Sequence, residues 1–252
     1  MATLKRTASD DIARTTPHKI RRSAAEAPKT GTRTVAVHVG SGTEKRTFDI
    51  YQDTLIRHSE FFKAALNPSS NWMEGQQRSV SLPEDCPQNF EILFHFLNTG
   101  SIFASKEDDI SGTSSTSCPL DLEWGRLTEC WALGQKLLST TYKDAVVDTI
   151  IEKMRTSGRF CSNLHEYPCQ NSTPSRAFRK LLVDVVVYRW SQKTWAEIGD
   201  GLSSFPDFLL DIARAQSKIS KKGFPTTLPW AGDDCTYHEH MDDGTPCYKT
   251  LF

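Results

Sequence analysis

Between Thr34 and Gly100 the hydrophobic period of this chain changes from that of a strand to that of a helix and back again, which restricts the order of elements it can form. Val35, Val37 and Val39 alternate with small or polar neighbours, and Gly40-Ser41-Gly42 supplies a turn. Thr47 to Tyr51 is expected to pair back as the second arm of a hairpin. Helical spacing follows. Asp53 is placed to cap a short helix carrying Leu55 and Ile56. Ser59 is placed to cap another, with Phe62, Ala65 and Leu66 on one face before Asn67-Pro68 stops it. Val80 and Leu82 restore the strand period. Asp85 and Gln88 have capping-box spacing and Pro87 is tolerated in a first helical turn. The spacing therefore predicts a helix with Phe90, Leu93, Phe94 and Leu97 as its inner stripe, widened by Ile92 and Phe96. Gly100 stands at its left-handed stop.

This order, with these residues, resembles a BTB/POZ domain of the fungal branch. The resemblance rests on the hairpin TVAVHVG...RTFDIYQDTLIRHSEFFKAAL, on NWMEGQQRSVSLPED and on FEILFHFLNTGSI, and covers Thr34 to Ile102. Leu55, Ser59, Phe61 and Phe62 keep the family's spacing, whereas Tyr51 stands where the family commonly has His, so contacts made by that His do not carry over. The resemblance implies an α+β fold: a small sheet with a cluster of helices, followed by a helical C-terminal extension. It also implies a protein that acts by presenting a surface to other proteins and not as an enzyme. Its partners would be itself, other proteins or, as in some members, a cullin ubiquitin-ligase scaffold. Members that form the domain-swapped dimer carry an extra apolar helix and strand before the first core strand. Residues 1–31 contain no such helix, so dimerisation by that route is not expected.

Composition sets the outer bounds. With 252 residues, 38% of them hydrophobic, and a mean hydropathy of -0.46, the chain builds a real core only if part of it stays outside. Thirty basic residues against 31 acidic ones give a net charge of -1, so the overall balance points to no direct nucleic-acid contact and no membrane surface. The longest apolar run, Leu181 to Tyr188, is interrupted by Asp184 and falls short of the ~18 residues that span a bilayer. The opening Met-Ala-Thr-Leu-Lys-Arg lacks the apolar stretch of a secretory signal. An intracellular protein is expected, with nucleus and cytoplasm both open. Seven cysteines, an odd number without a Cys-x-x-Cys pair, are expected to be reduced thiols.

Residues 1–31, poor in large apolar side chains, are expected to be a disordered basic arm. Within it Lys5 and Arg6 precede Lys19, Arg21 and Arg22 at the separation of a two-part nuclear import signal, and the other reading is a solvated basic tail. The BTB/POZ-like domain is expected over 32–156, with a Ser/Thr/Asp-rich surface insertion at about 104–119. Its last two helices run from about Leu122 to Leu138, with Leu127, Trp131, Gly134 and Leu138 on one stripe, and from Tyr142 to Met154, with Ala145, Val146, Thr149 and Ile150 inward. A helical extension is expected over 157–222. It holds a helix from Arg176 to Trp190, for which the three successive valines leave a strand as the alternative, and another helix from Pro206 whose apolar side is Phe208, Leu209, Ile212 and Ala213. Residues 223–252 form an irregular tail rich in Cys, His and acidic residues.

That tail holds Cys235, His238, His240 and Cys247, two thiols and two imidazoles, the donor set of a structural zinc site. His238 and His240 are separated by one residue and not by the three to five of the usual finger, and an extended segment would let both point the same way. The expectation is a packed polar tail with no cofactor, and a structural zinc ion on these four residues is the alternative. Asp233, Asp234, Glu239, Asp242 and Asp243 lack the ligand spacing and turn glycine of a calcium loop and read as a solvated acidic face. His165-Glu166 lacks a second His four residues on. No Gly-x-Ser-x-Gly elbow, phosphate loop or dinucleotide fingerprint is present. Cys86, Cys118 and Cys130 read as small core or surface thiols, and Trp72, Trp190 and Trp195 as partly buried edges of the core.

Three functions are consistent with these residues: a protein-interaction scaffold, which includes a cullin adaptor; a nuclear transcriptional cofactor acting through protein contacts; and a zinc-dependent enzyme using the Cys/His cluster. The last requires an open coordination position.

Overall fold

The alternation at Val35, Val37 and Val39 becomes strand β1 (Thr34–Val39), with all three valines fully buried. The computed structural model describes residues 31–67, 78–104, 122–161, 164, 175–222 and 226–252. β2 (Arg46–Tyr51) lies antiparallel to β1, with Phe48 opposite Val37 and Ile50 opposite Val35. β3 (Ser79–Leu82) lies parallel to β1 on its other side, with Val80 opposite Val37 and Leu82 opposite Val39. The order is β2-β1-β3. Because all three strands share the period of two, their apolar residues fall on one face. A parallel partner needs a crossover, and it includes α1 (Gln52–His58) and α2 (Glu60–Ala65).

Helix caps separate local preference from tertiary demand. Ser59 caps α2 as its sequence predicts: its Oγ accepts from the Phe62 N–H at 3.2 Å and donates to the Leu137 carbonyl at 2.6 Å. Asp53 does not cap α1. β2 runs straight into that helix, Tyr51 occupies the cap position, and the Asp53 carboxylate accepts from the Gly31 N–H at 3.0 Å. Nor does Asp85 form a capping box on α3 (Pro87–Thr99). Cys86 is the cap, and Asp85 pairs instead with Lys136 of the next helix at 2.8 Å. Gly100 ends α3 with φ of 73°, its N–H reaching the Phe96 carbonyl at 2.8 Å.

α4 (Leu122–Lys136) and α5 (Thr140–Ser157) pack closely at Gly134, where a Cβ would stand 2.8 Å from the Lys143 side chain. Leu138, expected on the inner stripe, is 55% exposed, with φ of 50°. The chain already reverses after Lys136, and Leu137 takes the buried place. α6 (Arg176–Arg189) follows, then α7 (Gln192–Ile198), a 3-10 turn (Gly199–Ser204) and α8 (Pro206–Lys222). Phe208 and Ile212 of α8 are buried and Leu209 is partly so, but Ala213, expected on the same side, is exposed. Phe94 and Thr149 are half-buried. A short helix, α9 (His240–Asp243), and a 3-10 turn (Tyr248–Thr250) complete the described elements.

Residues 31–252 form one compact α+β unit with a small three-stranded sheet and a larger share of helix. A single cluster of buried side chains runs from Val35 to Tyr237. Trp131 of α4 stacks on Phe178 of α6 with centroids 4.5 Å apart, and Phe96 of α3 meets Tyr142 of α5 at 5.3 Å. Trp190 and Trp195 meet edge to face at 4.9 Å at the margin of this core. Cys161, expected as a free thiol, is disulfide-bonded, and neither Cys118 nor Cys169 is among the described residues. Cys86, Cys130, Cys235 and Cys247 are free. Lys5, Arg6, Lys19, Arg21 and Arg22, Trp72, most of the 104–119 insertion and His165-Glu166 also lie outside the described residues. Among those described, no helix is long and apolar enough to cross a membrane.

Candidate metal centre

The site is built on α5. Asp144 and Asp148 are one helical turn apart, so both carboxylates emerge from the same face, beside the inward stripe of Ala145, Val146 and Ile150. The segment from Cys235 lies across them. The Asp144 carboxylate, 1% exposed, accepts from the Glu239 N–H at 2.7 Å and the His240 N–H at 3.3 Å. It also meets His240 Nδ1 at 2.8 Å. Asp148 meets His238 Nε2 at 2.9 Å, and it accepts from the Tyr248 hydroxyl at 2.6 Å and from Lys249 Nζ at 2.8 Å.

Charge and burial oppose each other at the two acids. Burial pushes the Asp144 carboxyl up, against the donors from Glu239 and His240 that favour its ionised form. Burial also acts to raise Asp148, but donation from His238, Lys249 and Tyr248 prevails and holds it at about 2. Both acids serve as acceptors, so the imidazole nitrogens facing them carry the protons. Burial of Glu239 follows from the same anchoring. It pairs with the buried Lys143 of α5, which also donates to Gln135 at 2.8 Å. Asp243 accepts from Thr140 at 2.8 Å. The acidic residues of this segment are therefore not a uniformly solvated face: Glu239 and Asp243 are anchors, while Asp233, although it pairs with Arg155, has a 90% exposed side chain.

Cys235, His238, His240 and Cys247 converge. Their ligand atoms all lie within 4.8 Å of one another. Tetrahedral zinc bonds of about 2.0–2.3 Å put ligand atoms about 3.3–3.8 Å apart, so the set has to contract by about 1 Å. The backbone does not produce this convergence in the expected way. Glu239 is in the right-handed helical region and His240 opens α9, so no extended segment aligns the two histidines. Their ring centroids are 5.1 Å apart because each imidazole is tied to a different carboxylate of α5. Gly244, with φ of 74°, then turns the chain so that Cys247 returns to the group.

Two observations fit a metal ion. His238 is 2% exposed, and its Nδ1 has no hydrogen-bond partner, a buried polar atom left unsatisfied. Burial and the adjacent Cys247 thiol, with which it shares a hydrogen bond, push the Cys235 thiol up. A cation among the four groups would satisfy the nitrogen and favour the thiolates. Sequence spacing identifies the four donors. Asp144 and Asp148 escape it, because two acids at i and i+4 beside an apolar stripe read equally well as a solvated edge. Compared with known proteins, the chain matches no family model and no curated protein.

Proposed function

We propose that this chain is a protein-interaction scaffold of the BTB/POZ type, with a structural zinc ion held by Cys235, His238, His240 and Cys247. The observation that carries the fold assignment is the element order strand, strand, helix, helix, strand, helix with β3 parallel to β1, on the residues that resemble the family. Such a platform acts by binding, and its partners are a second copy or a cullin scaffold. Four protein donors fill a tetrahedral zinc shell and leave no position for substrate, the arrangement of a structural site. An open depression of about 400 Å³ beside Cys235 and His238 does not alter this, because a reaction there would need one of the four donors to leave.

Zinc would join the 235–247 segment to itself and, through His238 and His240, to α5. Metal analysis of the purified full chain is expected to return one zinc per chain, falling to background in the Cys235→Ser/Cys247→Ser double variant. Light scattering of the same protein, alone and mixed with a purified cullin N-terminal domain, tests the scaffold. Self-association or a cullin complex is expected; a monomer that does not bind the cullin overturns the scaffold reading whatever the metal content.

A further inference from the structure

Metal-ligating histidines usually donate their second ring N–H to a carboxylate or carbonyl, which fixes both tautomer and ring orientation. Here the two imidazoles are held by opposite nitrogens. His238 uses Nε2 on Asp148 and leaves Nδ1 buried and unpartnered. His240 uses Nδ1 on Asp144 Oδ2 and leaves Nε2. Asp144 Oδ1 and Oδ2 already accept the backbone N–H groups of Glu239 and His240, so at this contact the imidazole donates. At Asp148 the second oxygen is taken by the Tyr248 hydroxyl and the Lys249 ammonium, both donors to an ionised carboxylate.

Resting on the zinc reading above, we infer that Asp144 and Asp148 are positioning residues for a mixed-tautomer centre: His238 ligates zinc through Nδ1 and His240 through Nε2. The two modes answer the one-residue gap between the histidines. A nitrogen next to the Cβ substituent and one at the far end of the ring reach a common point from different distances along the backbone. Two identical modes at this spacing would require one ring to give up its carboxylate. The carboxylates therefore select the tautomers before metal arrives, and a close-set His-x-His pair becomes a usable half of a zinc site.

The test is made on the full chain. In the zinc-loaded protein, long-range nitrogen–proton NMR of ¹⁵N-labelled histidine is expected to place the proton of His238 on Nε2 and that of His240 on Nδ1. Zinc affinity by chelator competition is expected to fall about 10–100-fold in Asp148→Asn, the range for loss of such a carboxylate. Asp148→Glu is expected to recover part of it. Thr140→Ala, which loosens the anchor at Asp243 without touching either imidazole, is expected to change affinity less than about threefold. If Asp144→Asn does not fold, the NMR measurement on the unaltered chain still decides its role.

If both histidines prove bound through the same nitrogen, the inference is overturned while the zinc site stands. The inference also fails if Thr140→Ala weakens zinc as much as Asp148→Asn does. A chain that takes up no zinc removes the site itself.

Discussion

At the scale of single residues, the clearest consequence of burial is at His58. Its ring is 5% exposed, contacts Thr141 Oγ1 through Nδ1 at 3.1 Å, stacks on Phe252 at 5.4 Å and meets the edge of Phe96 at 6.0 Å. Burial, with a smaller effect from the Arg57 charge, lowers its pKa from 6.5 to about 4. The folded protein thus holds His58 neutral where the unfolded chain would protonate it. The stability associated with a neutral His58 is fully present above pH 6.5 and is lost as pH falls toward 4, where the folded ring also takes up its proton. The loss over that window is on the order of 3 kcal/mol. Urea unfolding of the parent and of His58→Gln at pH 7.5 and pH 4.5 measures it. The parent is expected to lose more stability than the variant between the two pH values, and equal losses would show that His58 is not held neutral.

At the scale of elements, what the sequence reveals depends on how far away the deciding partner lies. Ser59 and Gly100 are legible because a cap and a left-handed stop are settled within a few residues. Asp53 and Asp85 are misread because their carboxylates find Gly31 and Lys136, contacts that local spacing does not encode. Leu138 fails for a related reason: α4 stops before the helical stripe brings that residue inward. At the candidate metal centre the four donors are legible as a set. The groups that aim them are not, because Asp148 and Asp144 lie 90 and 96 residues away from His238 and His240. Gly100 carries a second requirement of the same hidden kind. A Cβ there would stand 2.5 Å from Cγ of Phe252, which also packs on Phe96 at 5.3 Å. Gly100→Ala therefore combines a left-handed backbone cost of about 1–2 kcal/mol with displacement of that ring. Denaturant unfolding is expected to show a loss of about 2 kcal/mol or more. In the Phe252→Ala background the same change is expected to recover toward the backbone cost alone, giving a nonzero coupling in the double-mutant cycle.

At the scale of the whole molecule, the segment beyond Cys235 is tied into several parts of the fold. His238, Glu239, His240, Tyr248 and Lys249 reach α5, Tyr237 donates to Asp184 of α6 at 2.8 Å, and Phe252 covers the seam of α1 and α3. The buried cluster is also continuous from the sheet through α4 and α5 to α6 and α8. The helices after residue 175 pack on one another and also join that shared cluster: Phe178 is buried against Trp131 of α4, and Tyr237 is part of the same cluster. Unfolding should therefore be cooperative across residues 31–252. In excess zinc, calorimetry is expected to give one transition whose calorimetric and van't Hoff enthalpies agree. Free zinc at 100 times its dissociation constant would add about 2.7 kcal/mol to the folded state by mass action. For a chain of this size each kcal/mol moves the midpoint by about 2–4 °C, so chelation is expected to lower it by about 5–10 °C. The shift should appear at the same midpoint whether followed by tryptophan fluorescence or by far-ultraviolet circular dichroism, because the segment that loses its metal is held against the core the other elements share. Two separated transitions, with only the lower one sensitive to chelator, would mean that the 235–252 segment melts independently and that its contacts with α5, α6 and the α1–α3 seam are too weak to couple it to the rest.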